Sequence, residues 1–295
     1  MPNQPYKYFP PVLALLAGTV IWGTVWYPYR ILREHGLGGT PATFSTYLVT
    51  LLFTVTVFSR SWRELSQAPR LFFILTLASG WTNYAYVMGT LEGTVMRTLL
   101  LFYLAPVWTV PLARWVLNER PTAASYGVVI VALTGAATML WDPQAGWPIS
   151  HNLSDWYGLT AGFAFALNNV IARRLSGHSI GAKTFASCIG VLGITAVAMT
   201  LTGDWVNVAR AGSIVPFSLI VAIGAALFCT MLIVFYGVMH IPAVRAIVIM
   251  LFELVVGAVS SHWLVGESMS AREWVGGTLI VAATLFSAFA EPKPP

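Results

Sequence analysis

The sequence predicts an all-α integral membrane protein of ten transmembrane helices, arranged as two inverted five-helix repeats. Three observations predict it. Of 295 residues, 57% are hydrophobic and only 9% are charged, with a mean hydropathy of +0.73. Soluble domains carry about 25% charged residues, and a chain of this size has too little interior to hide so much apolar surface. Apolar runs of membrane-spanning length recur from end to end. Finally, one offset of 148 residues brings Arg97, Trp115 and Glu119 onto Arg245, Trp263 and Glu267. Duplication inside an apolar chain is the sequence trace of a two-repeat membrane protein with its site between the repeats.

A bilayer core of roughly 30 Å takes about 20 apolar residues per helix. The first half, 1–141, offers spans at 11–32, 41–58, 71–91, 95–117 and 123–141. The second, 156–295, offers 156–174, 182–202, 214–238, 243–265 and 271–290. Short connections hold the turn residues, among them Gly36, Gly38 and Gly39, Pro69, Asn118 with Pro121, Gly177 and Pro242. The longest, 142–155, carries Asp142, Pro143, Gly146, Pro148 and Asp155 and joins the two halves. No soluble domain fits. The first apolar run is too long for a signal-peptide core and lacks a small-residue cleavage pattern after it.

Lys and Arg set the orientation. With the N-terminus inside, the inner segments hold 11 of them and the outer segments 5, so both termini are expected in the cytoplasm. An odd number of spans per half turns the second half upside down. Arg97 and Arg245 then fall at opposite faces, and two near-equivalent states, each open to one side, become available. The net charge of +5 comes from these interspersed cations and suggests no nucleic acid. Cys188 and Cys229 lie inside apolar runs and read as small packing residues. No cofactor or metal is expected.

Residues Tyr103-Leu104-Ala105-Pro106-Val107, followed by Leu117-Asn118-Glu119-Arg120, resemble the fourth and fifth helices of the drug/metabolite transporter superfamily. Leu251-Phe252-Glu253-Leu254-Val255, followed by Gly266-Glu267, resembles the ninth helix of its ten-helix EamA-type members. The resemblance covers the whole chain in span number and repeat arrangement. It implies export or exchange of small metabolites, amino acids or amphipathic compounds through a central cavity. Many members read Glu-Pro-Val in the ninth helix. Here Glu253 supplies the acid and Leu254 replaces the proline, while the first half keeps Pro106 and has Ala105 opposite Glu253. On this reading the kink and the carboxylate are divided between the halves.

Glu253 is the sharpest residue, an acid about ten residues into a span of about twenty-three, near the bilayer centre. A charge there costs a few kcal/mol, so the group must face the interior, pair, or hold a proton. It is either a coupling site for a proton or cationic solute group, or a neutral acid that fixes packing. Asn83, Asn168 and Asn169 are amides at membrane depth. They either glue helices together or line a wet cavity, because an unsatisfied amide in hydrocarbon is costly. Trp22, Trp81, Tyr84 and Tyr103 fall deep enough to wall a cavity for an aromatic, amphipathic or cationic solute, or to pack the core. Arg97 and Arg245, near helix starts, either snorkel to the interface or gate one side, with Glu92 and His240 as neighbours. Pro106, like Pro28, opens the backbone ladder and gives a bend that a rocking helix can use. Glu119 and Glu267 read as helix-terminal charges that fix loops, and Gly158 with Gly162 as a close-packing pair.

These residues point to a secondary transporter for a small organic solute, working by alternating access in the lipid bilayer, with proton coupling at Glu253, uniport and exchange all open. A bacterial inner-membrane location is expected. A channel would need rings of like groups around a pore. An embedded lipid enzyme would need a paired acidic or His–Asp motif, and His151 with Asp155 stands alone in a polar linker. The solute and the oligomeric state are not written in the sequence.

Overall fold

The computed structural model describes residues 9–92, 95–141, 152–205, 214–266 and 270–289. Most of the 142–155 linker, with His151, and Glu267 fall outside them. Among the described residues the chain is entirely helical, with no strand. Thirteen α-helices run α1 Phe9–Thr24, α2 Trp26–Glu34, α3 Gly39–Val57, α4 Pro69–Glu92, α5 Val95–Phe102, α6 Ala105–Leu117, α7 Ala123–Leu140, α8 Leu153–Arg174, α9 Ile180–Thr202, α10 Ile214–His240, α11 Ala243–Met250, α12 Phe252–Val265 and α13 Ala271–Phe289. A 3-10 turn, Ser61–Ser66, precedes α4.

Among the described residues six stretches are long and apolar enough to cross a membrane: Pro10–Glu34, Gly39–Val57, Pro69–Thr90, Ile180–Thr202, Phe217–His240 and Ala243–Leu264. Ala123–Met139 is a shorter apolar helix. The sixth and tenth expected spans form as α8 and α13 but fall outside that set. In α8 the cause is its polar content, with Asn168 and Asn169 mid-helix and Arg173 and Arg174 in its last turn. The fourth expected span forms as α5 and α6, separated by Tyr103 and Leu104, and neither helix is long enough to cross alone.

Local chemistry explains the boundaries. The hydroxyls of Thr122 and Ser179 accept the backbone N–H groups of Ser125 and Ala182, capping α7 and α9. Pro28 has no N–H for the carbonyl of Thr24, and the first span breaks between Thr24 and Trp26. Pro106 likewise leaves the carbonyl of Phe102 without its helical partner, and the fourth span breaks after Phe102. Helices α6 and α12 both end on a left-handed residue, Asn118 at φ 57° and Gly266 at φ 74°.

The 148-residue offset read from the sequence also relates helix bounds. It carries α5 onto 243–250, the bounds of α11, and carries α6 and α7 to within one residue of α12 and α13. It carries Asn118 onto Gly266. It also carries the break after Phe102 onto the break at Leu251, although Leu254 stands where the first half has Pro106. Without a proline, span nine breaks by a tightened step in which the N–H of Leu254 bonds the carbonyl of Leu251 at 3.1 Å. This corrects the expectation that kink and carboxylate are divided between the halves, because Glu253 sits in the first turn after the ninth-span break.

Helix α4 packs along α8 and α9, α3 along α9 and α10, α1 along α10 and α12, and α7 along α13. A buried cluster containing Phe102, Tyr103, Ala105 and Ala113 also contains Ala243, Val244, Leu251 and Leu254, so one core draws on both halves. Small residues permit the closest approaches. A Cβ at Gly162 would collide with the carbonyl of Phe102, and one at Gly190 with the carbonyl of Thr76. Both collisions are with backbone, which cannot swing aside. Gly190→Val is therefore expected to force α4 and α9 apart and to destabilise the protein by about 1–3 kcal/mol. The same change at Gly193, where a Cβ meets nothing within 4 Å, serves as the control. Thermal unfolding of both variants in detergent checks the difference.

Candidate functional site

Two broken helices meet at mid-depth. Tyr103 sits in the break between α5 and α6, and Glu253 in the first turn of α12 just past the break at Leu251. The carboxyl of Glu253 and the hydroxyl of Tyr103 lie close enough to interact with each other. Tyr86, on α4, lies close enough to interact electrostatically with both. Aromatic rings extend the wall: Phe102 meets Tyr86, Tyr103 and Phe165, each at a centroid distance of 5.2 Å. Tyr103 is buried, whereas Glu253 and Tyr86 keep part of their surface. Glu253 also sits at the positive end of the α12 dipole, which favours a carboxylate there. A half-helix terminus at membrane depth is how discontinuous helices present charge to a solute.

Trp22 lies on α1, half-buried. Its neighbour Gly23 allows α1 to approach the backbone carbonyl of Glu253 and the side chain of Val256. One turn on, Trp26 donates its indole N–H to the Ser260 hydroxyl at 3.0 Å, and that hydroxyl donates to the Gly23 carbonyl at 3.2 Å. These bonds fix the end of α1 and the start of α2 against α12.

Asn83 and Asn168 are joined in a polar network through Ser79, and Asn169 bonds within its own helix. The Asn83 side chain donates to the Ser79 carbonyl at 3.0 Å and accepts the Tyr47 hydroxyl at 2.9 Å. Asn168 accepts from the Ser79 hydroxyl at 2.6 Å, and that hydroxyl also meets Ser187 at 2.8 Å. Asn169 donates to the Phe165 carbonyl at 2.8 Å. Trp81 and Tyr84 group with Tyr157, with ring centroids 6.0 to 6.3 Å apart. Trp81 shares an exposed stripe with Phe73 and Leu77 at four-residue spacing. Of the four expected aromatics, Tyr103 is placed beside Glu253.

Pro106 is buried in the first turn of α6. Arg245 stands half-buried on α11, and its carbonyl accepts the Ser287 hydroxyl of α13 at 3.4 Å. The side chains of Arg97 and Glu92 lie outside the described residues. No group of three or more His, Cys, Asp or Glu able to hold a metal occurs among the described residues.

One face of the bundle carries charge contacts that sequence reasoning has no signal for. Glu119, just past the Asn118 turn, accepts a hydrogen bond from Arg173 on α8 with one oxygen and from the Ala243 N–H at 2.9 Å with the other. Arg173 donates further to the carbonyls of Met239 and Val238, at 3.2 and 3.4 Å. Glu64 accepts the Ser179 N–H at 2.8 Å. Partial burial works against the charge of Glu64, but the hydrogen bonds from Ser179, with attraction from His178 and Lys183, hold its carboxyl below the usual range. Lys183 is fully buried and donates to the carbonyls of His178 and Ser179 at 2.6 and 3.4 Å. The sequence assigns Arg173 and Lys183 only an orienting role, since a charge count cannot distinguish a solvated cation from one folded back onto carbonyls.

The profile of the EamA-like transporter family matches the chain twice, over residues 9–141 and 152–289. An uncharacterized transporter of Archaeoglobus fulgidus is 24% identical over 283 residues, covering 93% of this chain and 94% of that protein. A crystal structure with 13% sequence identity superposes with a TM-score of 0.73 over 95% of this chain and 98% of its own, a likeness of fold.

Tyr103 and Glu253 bring the two helix breaks together, so Tyr103→Phe, which removes the hydroxyl beside the acid, is expected to cost up to about 1 kcal/mol, the net worth of one hydrogen bond. The thermal midpoint in detergent should fall. In a Glu253→Gln background, where the acceptor is already altered, the further fall on Tyr103→Phe should be smaller, and the double-mutant cycle measures that difference.

Proposed function

Because the chain belongs to the EamA-like transporter family of the drug/metabolite transporter superfamily, we propose that this membrane transporter moves a small organic solute past Glu253 by alternating access. The observation that carries the proposal is the meeting of Tyr103 and Glu253 at two helix breaks. Straight helices expose no backbone at membrane depth. Breaks do, and they are tolerated only where protein or a water-filled cavity receives the freed groups.

The ten spans are read as two five-helix repeats of opposite orientation. The double family match and the shared helix bounds support the repeat. Contacts between connections support the alternation. Glu64 and Ser179 join the connection after α3 to the one after α8, and Glu119 and Ala243 join those after α6 and α10. Phe44 near the start of α3 meets Trp205 after α9, with rings 5.3 Å apart. Even-numbered connections thus touch even-numbered ones, as they must if every span crosses. The positive-inside rule makes the Glu119 face cytoplasmic, with both termini inside.

The solute class follows from the wall. One carboxyl among Tyr86, Tyr103 and Phe102 suits an amino acid, an aromatic or an amphipathic compound with a positively charged or hydrogen-bonding end. Export or exchange follows if that end and a proton neutralise Glu253 in turn, since an unneutralised carboxylate at this depth is costly. Reconstituted protein should show saturable flux and counterflow. Glu253→Gln should abolish uptake driven by a pH gradient while exchange survives, and gradient-driven accumulation unchanged in that variant removes the coupling role. Trp22→Ala should weaken solute affinity at least severalfold with the yield of folded protein held. Loss of folded protein with unaltered affinity in the remainder would assign Trp22 to packing.

A further inference from the structure

We infer that Glu119 and Arg173 form the latch that holds one face of the transporter shut, tying the first half to the second and parting when that face opens. The inference rests on the alternating-access reading and assigns its closing contact to residues that touch no solute.

The geometry is specific. Span eight ends at His240 and span nine begins at Ala243, with Pro242 between them. The two chain ends at this turn present opposite needs, carbonyls on the last turn of α10 and N–H groups on the first turn of α11. Arg173 serves the carbonyls of Val238 and Met239, Glu119 serves the N–H of Ala243, and the two side chains bind each other. The pair is therefore a bridge whose two ends cap two helix termini. The left-handed Asn118, and the bond from the Glu119 N–H to the Ala113 carbonyl at 3.2 Å, turn the chain so that Glu119 points back across the bundle.

The bridge crosses the halves. Glu119 follows α6 of the first, while Arg173, Met239 and Ala243 belong to the second. Helix α6 packs on α8 and α11, so opening this face by separating the halves must part Glu119 from Arg173 and Ala243. Side chains about one fifth exposed are reachable by water, which can take over the broken bonds, so the contact is reversible. They border an open depression of about 210 Å³ with Arg174 and Ser176 on its rim. Arg30–Glu34, an ion pair among the described residues near the other face, is exposed and lies within a single helix, so it ties no two elements together. The Glu119 face is thus fastened across the halves by a charged bridge.

The test uses the full chain in membrane vesicles, with Cys188 and Cys229 replaced by alanine. One reporter is Ala113→Cys, fully buried on α6 just inside Glu119, and the other is Ser260→Cys, buried where α1 meets α12. A membrane-impermeant maleimide is applied from each side in turn, without solute. Glu119→Gln and Arg173→Gln are each expected to speed labelling at position 113 by at least about tenfold, corresponding to about 1.4 kcal/mol of lost closing free energy. Labelling at position 260 should stay constant or slow. Unchanged labelling at 113 in both variants overturns the latch, and so does equal acceleration at both reporters, which would mean a loosened bundle. Arg173→Lys keeps the charge and guards against a neutral variant that fails to fold. It should label more slowly than Arg173→Gln, and equal rates overturn charge pairing as the closing force. Because labelling needs no solute, a response at 113 in a protein that shows no counterflow would sink the transport reading and leave the latch standing.

Discussion

The constraint on which this structure depends is that backbone groups inside a bilayer must find partners within the protein. The chain breaks its first, fourth and ninth spans, and each break frees N–H and carbonyl groups that lipid cannot satisfy. Such breaks must face other helices or water held inside the bundle. The breaks after Phe102 and at Leu251 face each other, which places Tyr103 beside Glu253. The acid is an outcome of the same constraint. A carboxyl at this depth is tolerable beside a helix terminus and a hydroxyl, and it would not be tolerable on a lipid-facing stripe.

Close packing keeps the rest of the bundle from competing with the site for polar groups. Glycines at the α4–α9 and α5–α8 crossings bring backbones together. Threonines 46, 50 and 54 on α3 return their hydroxyls to carbonyls one turn back, and Thr46 and Thr50 also meet the Tyr29 hydroxyl and the Gly224 carbonyl, so this buried polar row is satisfied without the site. Asn83, Asn168, Ser79 and Ser187 satisfy one another across α4, α8 and α9. What remains in contact with Glu253 is a tyrosine and a set of rings. One side of the molecule is then sealed by charge, through Glu119, Arg173 and Glu64, and the seam between α1 and α12 by an indole and a hydroxyl.

Much of this was legible in the sequence, and the limits have physical causes. The all-helical membrane class follows from composition, because so apolar a chain cannot be hidden in water. The offset that pairs Arg97 with Arg245 also pairs α5 with α11, since a repeat preserves turn positions even where side chains diverge. The depth of Glu253 could be counted from the span ends. Its contact with Tyr103 could not, because it depends on how two breaks fall across the bundle. Trp81 and Tyr84 show the matching difficulty: depth along a helix is a one-dimensional quantity, and which way a ring points around the axis is set by neighbours. The role of Arg173 was hidden for a related reason. A cation at a helix end marks orientation whether it meets water or reaches two carbonyls of another helix.

Leu254 is the most instructive departure. Pro106 makes the fourth-span break a matter of covalent chemistry, since it has no N–H to give to the Phe102 carbonyl under any packing. Leu254 retains its N–H and gives it to Leu251 instead of to Met250. The ninth-span break is therefore held by surroundings: the close approach of α1 at Gly23, the placement of Glu253 beside Tyr103, and the packing of Leu251 and Leu254 in the shared cluster. The same backbone form is reached in one half by a residue that permits nothing else, and in the other by contacts made across the interface between the halves. A motif comparison that scores the missing proline as a missing break misjudges the second half, because its break is a property of the assembled bundle rather than of its own eight or nine residues.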